Sequence, residues 1–141
     1  MMYLILTAML ALNVSKEAVE AFRKVDMSLT KTTANYIKKN DITYAAFDAA
    51  AAENPEKAGA WKTKAYEIKG RADELYNYIQ DLKVEIITTA EGSDSEALLP
   101  DNQIDINKVK KIDENNVPSE ILVGANQGGK GNDLKALIED Y

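Results

Sequence analysis

The chain has 141 residues, enough for one domain with its own core, and a net charge of −6. That balance argues against nucleic acid or an anionic membrane surface as the partner of its water-facing part. There is no Cys and no His, which excludes disulfides, thiolate metal sites, cysteine nucleophiles and every Ser-His-Asp arrangement. An enzyme restricted to carboxylates starts from a weak position, so no catalytic residue, cofactor or metal ligand is assigned.

The first element is "MMYLILTAMLALNVSKEAVEAF", Met1 to Phe22. Its first charge is Lys16, and no Gly or Pro interrupts the passage from apolar to charged sequence. From Met1 to Val14 a helix covers only about 21 Å, against roughly 30 Å of bilayer hydrocarbon. A signal-peptide core lacks the preceding positive charges and a cleavage site. A buried core helix would need a larger apolar partner surface than the rest of the sequence offers. The favoured expectation is a transmembrane helix over residues 1–15 whose cytoplasmic start lies upstream of Met1. Tyr3, Thr7 and Asn13 are the polar residues that would meet a partner or a proton pathway there. For Thr7 the simpler expectation is a bond back to its own helix. Between Met1 and Ser15 no side chain ionises within the ordinary pH range, so any charge-carrying group must come from elsewhere.

Beyond the anchor the same helix continues with a heptad-like seam. Val14, Ala18, Phe22, Val25 and Leu29 share one face, with Lys16, Glu17, Glu20, Lys24 and Lys31 opposite. Such a seam serves a bundle within the chain or pairing with a second copy, and heptads alone do not separate the two. The first joint is expected at Asn40-Asp41, with Asp41 capping a short Ala-rich helix. Asn54 and Pro55 then cap and start a long helix. Its seam runs Ala58, Trp61, Ala65, Ile68, Ala72, Leu75, Ile79, Leu82, Ile86, and it stops at Gly92. Trp61 is expected in the core. Gly70 is expected to mark a close crossing, and Glu67–Arg71 and Lys69–Asp73 to pair on the wet face. The long helices should pack antiparallel.

A long irregular excursion follows at about 93–130, with a helical turn around Asn107 to Ile112. "EILV" at 120–123 looks strand-like. "GANQGGK" at 124–130 fits the first part of a phosphate-binding loop. Gly131 stands where that loop needs Ser or Thr, and no βαβ core surrounds it, so Lys130 is read as part of a helix-capping loop and not as a catalytic residue. Asn132 is the expected cap of a last helix with Leu134, Leu137, Ile138 and Tyr141 on its apolar stripe. The stripe runs to the last residue, and the full protein is expected to continue.

"MMYLILTAMLALNVSKEAVEAF" and "NNVPSEILVGANQGGKGNDLKALIEDY" resemble the start and a later segment of the GldM/PorM family, the gliding-motility and type IX secretion motor subunits of Bacteroidetes-type bacteria. The resemblance implies an all-α chain: one N-terminal transmembrane helix continuing into a periplasmic helical bundle, with 1–15 in the inner membrane and 16–141 as the first periplasmic domain. It implies a non-enzymatic homodimer. The paired transmembrane helices would sit in a ring of a polytopic partner, GldL or PorL, with five partner copies expected to two of this chain. Proton flow would turn one component against the other, and the periplasmic rod would pass the torque to secretion and gliding components. Tyr3 is the residue best placed to hydrogen-bond a partner carboxylate. The alternative is a membrane-anchored sensor whose helical bundle binds a small ligand.

Overall fold

The computed structural model describes the backbone of residues 1–141 and the side chains of all but 9–16 and 101. The chain is mostly helical and divides into two compact units, Met1–Tyr36 and Ile37–Tyr141.

Helix α1 spans Met2–Glu53. The joint expected at Asn40-Asp41 does not form: the helix runs on through the Ala-rich stretch. Asn and Asp cost an exposed helix only a few tenths of a kcal/mol each, and neither Gly nor Pro is present to stop it. Among the described residues no helix is long and apolar enough to cross a membrane. Residues 2–15 are helical, as expected, and their apolar run reaches about 21 Å, short of the roughly 30 Å of bilayer hydrocarbon.

The first unit is a helix whose described side chains are all exposed or half-buried. In the second unit the remainder of α1 turns at Asn54 into α2, Pro55–Glu91. The start of α2 follows from its sequence. The Asn54 side chain accepts the Lys57 amide at 3.2 Å, and Pro55 occupies the first helical positions, where its missing N–H costs nothing. Gly92 ends the helix at φ 101°, returning its N–H to the Thr88 carbonyl. Near the turn, the end of α1 and the start of α2 run antiparallel: Asp48 meets Lys62 and Tyr66, and Tyr44 meets Tyr66.

The core lies at the far end of α2. Leu82, Ala97 and Val109 are the buried apolar residues among those described. The seam positions Ala65, Ala72, Leu75, Ile79 and Ile86 are half-buried along α2. Trp61 is 64% exposed, against the core position expected for it, and Ile68 is exposed too. Helix α4, Gly131–Asp140, runs antiparallel to α2, touching it through Lys130 to Glu85, Asp133 to Tyr78 and Asp140 to Arg71. Trp61 lies beyond that contact. Arg71 consequently bonds the Asp140 carbonyl at 2.8 Å, whereas Glu67 was its expected partner. Gly70 marks no close crossing, since a Cβ there would meet nothing within 4 Å.

The excursion at 93–130 carries more order than expected. Strands β1, Leu98–Leu99, and β2, Gln103–Ile104, form a minimal antiparallel pair with Leu98 opposite Ile104. The turn expected around Asn107 is a 3-10 turn at Ile106–Lys108, capped by Asp105 accepting from the Asn107 amide at 3.0 Å. Helix α3, Asn116–Leu122, contains most of the strand-like "EILV". Its start is held by Glu114, whose carboxylate accepts the Asn116 amide at 2.8 Å, and Pro118 in the first turn breaks no helical bond. Asn132 is not the cap of α4. The helix begins at Gly131, and the Asn132 side chain donates through Nδ2 to the Gln127 carbonyl at 2.6 Å.

Candidate interaction surface

The residues singled out in the sequence fall on the first unit. Tyr3 is 88% exposed. Thr7 Oγ1 donates to the Tyr3 carbonyl at 2.7 Å, which satisfies its hydroxyl within the helix. The side chains of Asn13 and Val14 lie outside the described residues. Ala18, Phe22, Val25 and Leu29 are all exposed, Phe22 to 75% and Leu29 to 61%. Among the described residues of the first unit, none covers that seam. A Phe, a Val and a Leu at heptad spacing, left in water on one helix face, are what a helix-pairing surface offers.

Three polar clusters fasten the second unit, and periodicity signals none of them. At the α1–α2 turn, Asp48 accepts from the Tyr66 hydroxyl at 2.9 Å and pairs with Lys62 at 2.9 Å. The hydrogen bond from Lys62, and then that from Tyr66, holds the Asp48 carboxyl below its usual range; Asp48 in turn raises Lys62 and Tyr66. Further along α2, Lys130 places Nζ 2.6 Å from both carboxylate oxygens of Glu85, and the Tyr78 hydroxyl donates to the Lys130 carbonyl at 3.1 Å. At the last turn of α2, Glu91 accepts the backbone amides of Lys110 and Lys111 at 2.6 and 2.7 Å and the Ser95 hydroxyl at 2.6 Å. The Ser95 bond, followed by the Lys111 amide, keeps the Glu91 carboxyl below its usual range.

The phosphate-loop resemblance dissolves in this geometry. The amides of Gly128, Gly129 and Lys130 are already donated, to the carbonyls of Ala125, Val123 and Ile121. The Lys130 ammonium is turned onto Glu85. The glycines serve close packing: a Cβ on Gly129 would lie 2.5 Å from the Leu122 carbonyl oxygen, and one on Gly131 2.6 Å from the same atom. Among the described residues no group of acidic side chains converges as metal ligands would.

The GldM N-terminal domain matches residues 17–141, and the chain belongs to that family. Membership places it among the gliding-motility and type IX secretion components, a family of membrane-associated proteins with periplasmic domains. No curated protein and no solved structure matches the chain.

Proposed function

We propose that this chain is the anchor and first periplasmic domain of a proton-driven motor subunit. Residues 1–15 sit in the inner membrane, and residues 16–141 stand in the periplasm. Two copies pair along Val14, Ala18, Phe22, Val25 and Leu29, and their membrane helices are held by a ring of a GldL- or PorL-type partner. The observation that carries this reading is the family match over residues 17–141.

The physical argument is mechanical. One proton crossing the membrane releases about 2.3 kcal/mol per 100 mV. Met1 to Ser15 contain no Asp, Glu, Lys, Arg or His, so on this reading the proton-carrying carboxylate belongs to the partner, with Tyr3 placed to hydrogen-bond it. Work released there reaches the periplasm through a helix that contains no Gly or Pro before Asn54. A flexible linker would dissipate it. The subunit needs no catalytic chemistry of its own.

Native mass measurement of the detergent-extracted complex tests the reading. Two copies of this chain with a larger number of polytopic partner chains is the expected result. A chain that extracts alone, and shows a thermal shift with a small ligand, would replace the motor with the sensor. Within the motor reading, Tyr3→Phe lowers gliding or secretion output while leaving the complex assembled, and a flexible insertion at Ser15 uncouples the periplasmic part.

A further inference from the structure

Away from the helix-pairing seam, the molecule has an open pocket of about 490 Å³ lined by Tyr76, Asn77, Gln80, Asp81 and Asn102. The first four share one face of α2, at spacings i, i+1, i+4 and i+5. The fifth comes from the turn between β1 and β2, where Asn102 takes the left-handed conformation at φ 56°. Asn102 Nδ2 donates to Asp81 Oδ1 at 2.7 Å, which fixes both planar groups side by side.

The lining is mostly polar and uncharged, with Asp81 its one ionisable carboxylate. It holds no Lys and no Arg, so nothing in it attracts a phosphate or a carboxylate. No aliphatic side chain lines it to receive a lipid tail. Its single carboxylate is already hydrogen-bonded, too few oxygens for a cation. What remains is a phenol ring, three planar amides and one carboxylate. Among the described residues, the Tyr76 hydroxyl and the amides of Asn77 and Gln80 have no hydrogen-bond partner.

That set matches one ligand chemistry. A sugar ring offers adjacent hydroxyls that donate and accept together, which planar amide and carboxylate groups satisfy in pairs. It also offers a face of C–H groups that packs on an aromatic ring. We propose that this pocket binds a neutral saccharide chain, with Tyr76 as the stacking platform and Asn77, Gln80, Asp81 and Asn102 as the hydroxyl-reading groups. The proposal stands on this unit alone and does not depend on the motor reading.

The test is a titration of the whole isotope-labelled chain, kept in a detergent without a sugar headgroup, because a maltoside would compete. Short oligomers of N-acetylglucosamine and of glucose are the probes, which separates amino-sugar from plain hexose polymers. The expected result is a saturable shift of the side-chain amide signals of Asn77, Gln80 and Asn102 with one of the two. Tyr76→Ala weakens that binding about tenfold, and Tyr76→Phe changes it less than about twofold. Asn77→Ala, at an exposed helix position, weakens it independently of any packing by Tyr76. Absence of a shift with both sugars, or a shift that Tyr76→Ala and Asn77→Ala both leave unchanged, overturns the proposal.

Discussion

The two units differ in where their apolar side chains go. In Met1–Tyr36, the described large apolar residues Tyr3, Phe22 and Leu29 all face outward, and none is buried. In Ile37–Tyr141, Leu82, Ala97 and Val109 are buried, and polar ties from Glu85 and Glu91 fasten other segments to α2. A helix that buries nothing gains little from its own tertiary structure. The second unit therefore has buried contacts from which to draw its own stability, and the described residues of the first have none.

The strongest way to break this contrast is at the core. Leu82→Ala leaves a cavity in a trio that has no reserve, and should destabilise the second unit by about 2–4 kcal/mol in urea unfolding. Gly129→Ala comes next, at about 2–3 kcal/mol, because its Cβ would strike backbone that no rotamer can move. Glu91→Gln should cost about 1–2 kcal/mol at neutral pH after allowance for its partial exposure. Its sign with pH follows from the depressed carboxyl: the stabilisation is complete above the ordinary glutamate range and disappears as pH falls through the depressed value. The parent chain should thus lose stability on acidification faster than the variant, read from melting curves at stepped pH. Gly70→Ala should do the reverse of Gly129→Ala and stabilise by up to about 1 kcal/mol, since it meets open space in a helix. The smallest expected effect is at the seam. Phe22→Ser with Leu29→Ser should change unfolding of the second unit by less than about 0.5 kcal/mol, while weakening self-association in sedimentation. A large loss of stability there would show that the first unit is not as independent as its exposure implies.

Local signals were legible where the physics is local. Asn54-Pro55 and Gly92 bound α2 as read, because caps and stops act over a few residues. The α2 seam was legible as a period, but a period says which residues share a face and not whether that face has a partner. Trp61 and Ile68 show the gap: both stay exposed, and the polar ties from α4 among the described residues reach α2 between Glu85 and Arg71. "EILV" misled because β-branched residues favour strands locally, while the Glu114 carboxylate that starts α3 lies outside the run. The saccharide pocket was invisible in sequence: Asn102 reaches Asp81 only because the β1–β2 turn folds back on α2.

The Glu91 carboxylate has a consequence for how the molecule comes apart. One side chain at the end of α2 grips two consecutive main-chain amides nearly twenty residues downstream, at Lys110 and Lys111. The loop between them is thus closed at both ends by the same helical turn. In hydrogen exchange those two amides should be released only together with the last turn of α2, as one cooperative opening, and not by gradual fraying of the loop.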